Sequence, residues 1–297
     1  MYLTRCKKGH ALRAAFEGME FARLPASMKT LLICHHDDML DRIGVARWLA
    51  SFSELAGVVE IREPGGRVWR RIRREVRRVG LLRFLDVLAY RVYERLALAR
   101  SDAAWQAGVL ERLCTTYPPL PERTPVLVTP SPNTPAAAAF IRSCGPDIIL
   151  ARCKSLLSKD VFAIPAGGTF VLHPGICPEY RNAHGCFWAL ASGDLDKVGA
   201  TLLQVDQGVD TGPVYGYFGY AFDEVAESPS VIQRRVVLEN FDSIRQALLD
   251  VAAGRASRID TSRRASATWG QPWLTKYLRW KYRARRRRRE GAIAAVP

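Results

Sequence analysis

The chain has 297 residues, 48% of them hydrophobic, and a formal net charge of +15. That length buries one good-sized core or two modest ones, so a single α/β domain with attachments is the default and disorder is not needed to explain the whole. The apolar runs fall well short of the roughly 20 residues that cross a bilayer, and the start carries charge without an apolar signal core, so the expectation is an intracellular, cytoplasmic protein.

Residues 1–27 read as an irregular basic leader, and KTLLICHH, Lys29 to His36, is the first buried strand. A helix through DRIGVARWLASF and the strand LAGVVEIRE complete a βαβ opening, which predicts a mostly parallel sheet with right-handed crossovers. From Arg67 to Leu98 the pattern is helical, broken at Gly80, with Val68, Trp69, Ile72, Val76 and Val79 on one face and arginines on the other. A minimal βαβ unit does not need this segment, so residues 65–115 are expected to be a basic helical insertion. VLVT is the next strand, followed by a helix with Pro135 in its first turn and Gly145-Pro146 at its end. DIILARC is a buried strand, SKDVFAI a short helix, TFVLH a strand ending at His173, and CFWALASGD a helix stopped by Gly193. GATLLQVD alternates like an edge strand, VYGYFGYAF is a further strand, and SVIQRRVVLENFDSIRQALLDVAAG reads as one closing helix. The expected division is a leader over 1–27, a domain over 28–253 and a basic C-terminal extension over 254–297, whose RARRRRR run is low-complexity and expected to be mobile.

Seven cysteines, an odd number with no C-x-x-C pair, point to reduced and mostly buried thiols. CHHDD, Cys34 to Asp38, has metal-ligand chemistry, but adjacent strand residues face opposite ways, so Asp37 or Asp38 as a helix cap is the expectation, and no metal is required. The excess charge lies in RVWRRIRREVRRVGLLRF and KYLRWKYRARRRRR, where Trp273, Tyr277, Trp280 and Tyr282 interleave with Lys and Arg. Three readings stand for this basic surface: an anionic membrane surface or lipid-linked acceptor, a solvated face, or RNA.

Ligands of an open parallel sheet bind outside the carboxyl ends of its strands. His173 ends one predicted strand and Asp210 follows another, and a carboxylate beside an imidazole makes an acid/base unit usable near neutral pH. On spacing alone the pair is weak evidence, and a satisfied structural histidine is the commoner reading.

The run FVLHPGICPEYRN, then GDLDKVGATLLQVDQGVDTGPVY, resembles the folate-dependent formyltransferases, which include methionyl-tRNA, glycinamide ribonucleotide and sugar N-formyltransferases. Their pattern is Asn-x-His-Pro-Ser-Leu-Leu-Pro-x-Tyr-Arg-Gly, Gly-Asp, Gly-x-Thr and Asp-x-Gly-x-Asp-Thr-Gly-Pro. The resemblance covers about residues 124–250 and implies a Rossmann-like fold. It implies transfer of a formyl group from 10-formyltetrahydrofolate to a small-molecule amine, with His173 as the proton-shuttling imidazole and Asp210 as the carboxylate that activates it. It places Lys154, Ser155, Leu156 and Leu157 on one wall of the folate pocket and Val205, Asp206, Gly208 and Val209 on the other. The tRNA-specific relatives carry a C-terminal β-barrel for which the residues after Ala253 are too few, so tRNA is not the expected acceptor. CHHDD lacks the glycine-rich phosphate loop of the glycinamide ribonucleotide enzymes, which argues against a purine-pathway role.

Three departures from the pattern matter. Val171 stands where the family has the asparagine that hydrogen-bonds the formyl oxygen, Gly175 replaces serine, and Asn182 replaces the glycine of Tyr-Arg-Gly. Loss of one oxyanion donor costs on the order of 10² to 10³ in rate. Three readings of Val171 stay open: Asn182 or His184 supplies the donor, the site transfers a different one-carbon group, or it binds a folate or an amine without turnover.

Overall fold

The computed structural model describes residues 28–64 and 68–294. The expected leader, residues 1–27, lies outside the described residues, as does the Arg67 start of the basic helix. β1 (Lys29–His35) leads through a π-helical turn (Leu40–Val45) and α1 (Ala46–Ala50) to β2 (Glu54–Ile61). α2 (Val68–Val79) and α3 (Leu81–Tyr93) meet at Gly80, whose φ of 81° suits a residue without a Cβ. A second π-helical turn (Glu94–Leu98) joins α3 to α4 (Ala99–Thr116). β3 (Val126–Thr129), α5 (Pro135–Cys144), β4 (Ile148–Arg152), α6 (Lys159–Phe162) and β5 (Thr169–His173) follow. α5 opens with Pro135 behind a Thr134 cap and closes on left-handed Gly145.

The seven-stranded sheet has the order β3-β2-β1-β4-β5-β7-β8, with β7 (Ala200–Gln204) and β8 (Val214–Phe218). The first five strands are parallel, and β7 and β8 are antiparallel to their neighbours. The GATLLQVD strand is therefore interior, not an edge: β7 lies between β5 and β8. Its alternation misleads because Thr201, polar in sequence, is fully buried, donating to the Gly175 carbonyl and accepting from the Cys177 N–H.

Alternation along the strands sends side chains to two covered faces. Leu32, Leu150, Phe170 and Leu202 pack against Trp48, Phe187, Ile232 and Ile244, whereas Leu31, Ile33 and Ile149 pack with Ile141 and Val161 of α5 and α6. α7 (Gly185–Ser192) is buried along its length and ends on left-handed Gly193.

Two helical expectations are corrected. The closing helix is two, α8 (Pro229–Leu238) and α9 (Phe241–Ala252), parted at Asn240, whose Nδ2 donates to the Val236 and Gly219 carbonyls and so competes with the helical ladder. The C-terminal arginine run is helical, not irregular: it continues α10 (Leu274–Ala294), whose first half is anchored by fully buried Trp280, with Nε1 donating to Glu224, and by buried Tyr277 and Ala284. Burying one such aromatic contributes roughly 1.5–3 kcal/mol, enough to hold a helix whose outer face is charged.

Six described cysteines are free; Cys34, Cys177 and Cys186 are buried, and Cys114, Cys144 and Cys153 are half-buried. Among the described residues no helix is long and apolar enough to cross a membrane.

Candidate active site

The sheet order reverses between β1 and β4, and the carboxyl ends of β1, β4 and β5 deliver His35, Arg152 and His173 side by side. Arg152 ties these ends together: its Nη1 donates to the Leu172 carbonyl at 2.7 Å and its Nε to Asp41 at 3.1 Å. Asp41 is buried, and burial raises its pKa despite Arg152. Asp38 goes the other way, because a bidentate pair with Arg234 at 3.0 and 3.1 Å outweighs the burial that opposes its charge. Asp38 also accepts from the Asp41 N–H at 3.3 Å, the capping role expected for this segment. His36 pairs with Glu60 at 2.6 Å and takes a hydrogen bond from Arg62, so CHHDD is dispersed among separate partners. Among the described residues no group of His, Cys, Asp and Glu is placed to hold a metal ion.

His173 is buried, and both ring nitrogens have neighbours. Nε2 lies 2.8 Å from the Tyr180 carbonyl and Nδ1 lies 3.4 Å from Asp210 Oδ2. A carbonyl can only accept, so Nε2 carries the proton, and Nδ1 is the nitrogen able to take up another beside a carboxylate. Asp210 is held in turn by the Asn182 backbone N–H at 2.7 Å. Glycine at 175 permits this packing: a Cβ there would lie 2.6 Å from the Tyr180 carbonyl and 2.8 Å from His173 Nε2. The serine of the family pattern has no room in this arrangement.

The loop carrying Asp210 is closed on itself. Asp206 accepts from the Gly208 N–H at 2.9 Å and from Thr211 Oγ1 at 2.7 Å, and Arg181 Nη1 donates to the Val209 carbonyl at 3.0 Å. A Cβ on Gly208 would come within 1.9 Å of Thr211 Oγ1, and one on Gly212 within 1.8 Å of the Gln204 carbonyl, which accounts for both glycines of the motif. Val205 leaves β7 with its N–H on the Thr169 carbonyl. On the other side, Asn133 brackets the Lys154–Leu157 loop, giving Nδ2 to the Leu156 carbonyl and taking the Ser158 N–H, while Lys154 N–H donates to His35 Nε2 at 3.0 Å. Ser155 accepts from Cys153 through its carbonyl, and Leu156 is exposed.

Asn182 and His184 fare differently. Asn182 Nδ2 donates to the Trp269 carbonyl, because β6 (Arg181–Asn182) pairs with β9 (Thr268–Trp269), two short strands far apart in sequence. One amide N–H is spent there; the amide has two. His184 precedes α7, and burial, followed by the charges of Lys154 and Arg91, lowers its pKa to about 4, so the ring is neutral at pH 7. His35 is lowered too, by burial and by Lys154. Among the described residues, the non-glycine residues with positive φ are Asn182 at 76°, His184 at 56° and Asp210 at 50°, so local backbone strain gathers around His173. Val171, on the His173 face of β5, packs with Cys177, Leu203 and Val214, an apolar patch with no donor from the strand itself.

Sequence reasoning missed the Tyr180 carbonyl, Arg152, Arg181 and Trp269, which stacks on Tyr180 and Trp188. It also missed a cavity of about 540 Å³ beyond β1, walled by Met39, Leu40, Arg91, Glu94 and Asp102 among others. Burial and their mutual repulsion raise the pKa of Glu94, and burial raises that of Asp102.

The paired histidine and aspartate, the loops Lys154–Leu157 and Val205–Asp210 beside them, and strands β3, β4, β5, β7 and β8 lie in one segment. Residues 106–237 match the formyl transferase family. The formyl transferase segment holds every predicted site residue, whereas α2, α3 and α10 lie outside it. Methionyl-tRNA formyltransferase of Sorangium cellulosum is 35% identical over 123 residues, 39% of this chain and 39% of that protein. The Myxococcus xanthus enzyme of the same name is 34% identical over 105 residues, 33% of each chain. The mitochondrial 10-formyltetrahydrofolate dehydrogenase of Homo sapiens is 29% identical over 123 residues, 41% of this chain and 13% of that protein. The chain thus spans less than two-fifths of the length of the first curated relatives it matches. Among solved structures, a sugar N-formyltransferase from Shewanella is similar over 82% of this chain and 76% of its own, at 12% identity and a TM-score of 0.49.

Proposed function

We propose that the protein transfers a formyl group from 10-formyltetrahydrofolate to the amine of a small-molecule or envelope-precursor acceptor such as an amino sugar. The observation that carries this reading is the His173–Asp210 pair, with Nδ1 beside the Asp210 carboxylate and Nε2 fixed by the Tyr180 carbonyl. The folate supplies the formyl carbon. Around it, Lys154 to Leu157 and Val205 to Val209 form the two walls, His173 Nδ1 takes the proton released by the attacking amine, and Asp210, steadied by the Asn182 N–H, stabilises the resulting imidazolium. The helical insertion contributes Arg91, Glu94 and Asp102 to the cavity beyond β1, which supports an acceptor-binding role for that cavity. Acceptors in the relatives' names include tRNA, but α2, α3 and α10, which set this chain's surface, lie outside the shared segment. The basic surfaces of α2 and α10 fit peripheral contact with an anionic membrane.

Asn182 or His184 supplies the donor that Val171 lacks: Asn182 has a second amide N–H besides the one given to Trp269, and His184 serves by exchanging its side-chain hydrogen bond with Gln271 for the substrate. In an amine-dependent formyl-transfer assay, Asn182→Ala or His184→Ala is expected to lower turnover about 10²-fold with folding intact. Full activity in both variants rejects this assignment. Folate binding without turnover on any amine favours the second reading, a binding module, for which Val171 is the supporting observation.

A further inference from the structure

α3 has two apolar faces, and only one is used by the fold. Val87 and Tyr90 turn inward, Tyr90 meeting Phe187 of α7 and Tyr277 of α10. Leu81, Leu85, Leu88 and Val92 recur at four- and three-residue spacing on the outer side and are exposed, and Leu96 continues the row in the following π-helical turn. Leu82 and Leu96 are 84% and 81% exposed, values far from a core residue's. Leu85, Leu88, Ala89, Val92 and Leu96 line an open depression with Leu274 of α10. From Leu274 the row passes at four-residue spacing to Leu278 and Tyr282, both exposed. An apolar stripe of this length on a chain of net charge +15 calls for an occupant.

Its border identifies the chemistry. Arg83 and Arg91 flank the stripe on α3 and Arg95 in the π-helical turn after it, Arg77 and Arg78 are exposed at the end of α2, and Arg279, Arg285, Arg286 and Arg289 are exposed on α10. Few acids offset them there: Asp86 is taken by the Thr275 N–H and hydroxyl, Glu75 pairs with Arg78, and Glu290 pairs with Arg286. A second copy of the chain would cover the leucines only by bringing these arginines together. A nucleic acid would match the arginines and leave the leucines in water. An anionic lipid bilayer satisfies both, with the leucines below the headgroups and the guanidinium groups at the phosphates, their stems lying along the apolar boundary.

We propose that the outer stripe of α3, extended by Leu274, Leu278 and Tyr282 of α10 and bordered by arginines, docks the protein onto an anionic phospholipid surface. This rests on the peripheral-contact part of the proposed function and names the face that makes the contact. It is independent of turnover, so a chain that transfers formyl groups but ignores vesicles overturns the docking face and leaves the chemistry standing.

The test is co-sedimentation of the full chain with vesicles of phosphatidylcholine alone and with one-quarter phosphatidylglycerol, alongside light scattering and binding to a generic RNA oligonucleotide. Binding at least tenfold tighter to the anionic vesicles is expected. The double variant Leu88→Glu/Val92→Glu, at positions about half exposed, is expected to weaken it at least tenfold while keeping the thermal melt. Leu82→Glu alone is expected to weaken it by a smaller factor. Undiminished vesicle binding by the double variant overturns the proposal, as does a doubled mass in solution that the same variant abolishes. RNA binding with no preference for anionic vesicles overturns it as well.

Discussion

The crevice at the ends of β4 and β5 and the outer face of α3 are built on opposite terms. In the crevice the key polar groups are committed: His173 to Tyr180 and Asp210, Asp210 to Asn182, Arg152 to Leu172 and Asp41. On α3 the leucines have no such commitments and face outward. Packing in the first region leaves no space for a methyl group at several glycines, while in the second whole side chains stand clear. The formyl transferase match stops between them, covering the crevice and omitting α3. One region holds its polar groups by paired hydrogen bonds; the other presents apolar area bordered by charge.

That contrast is open to attack by substitution. Gly185→Ala is the most damaging, because its Cβ would lie 2.6 Å from Gly175 Cα and 2.7 Å from the Tyr180 carbonyl, both backbone atoms that cannot swing away. A loss of about 3 kcal/mol is expected in urea unfolding, and a loss under 1 kcal/mol would show that the crevice is looser than described.

His184 sharpens the comparison through pH. Its folded pKa of about 4 lies below the unfolded value near 6.5, so the unfolded chain binds more protons between those values. Stability is therefore retained above about pH 6.5 and lost as pH falls toward 4. Between pH 7 and pH 5 the wild type is expected to lose about 2 kcal/mol more than His184→Gln, read from paired urea titrations. Equal losses would place His184 in water.

Leu82→Gln marks the other extreme. At a position this exposed, the change in stability is expected to stay within about 0.5 kcal/mol. A large loss would mean that α3's outer face packs against something within the chain.

The same divide runs through what could be read before the structure. β3 and β5 were legible to the residue, since VLVT and TFVLH are short buried runs between strong breakers, and Gly80, Gly145 and Gly193 marked helix ends by their conformational freedom. His173, Asp210 and Asn182 were visible as residues, and the fold brings them together. The Tyr180 carbonyl was not, because a backbone acceptor leaves no trace in residue type. The pairing of Asn182 with Trp269 was hidden by its sequence separation and its two-residue strands. Buried Thr201 made an interior strand look like an edge, and the arginines after Arg283 hid a helix anchored by Trp280 and Tyr277.

The central claim is that Asp210 works through the Nδ1 edge of His173, and kinetics of formyl transfer to an amine in Asp210→Asn and His173→Ala tests it most directly. The account predicts that each variant, still folded and still binding a reduced folate, loses about 10³-fold or more in kcat, with the double variant little worse than either one. Turnover within a few-fold of wild type in either single variant would contradict it.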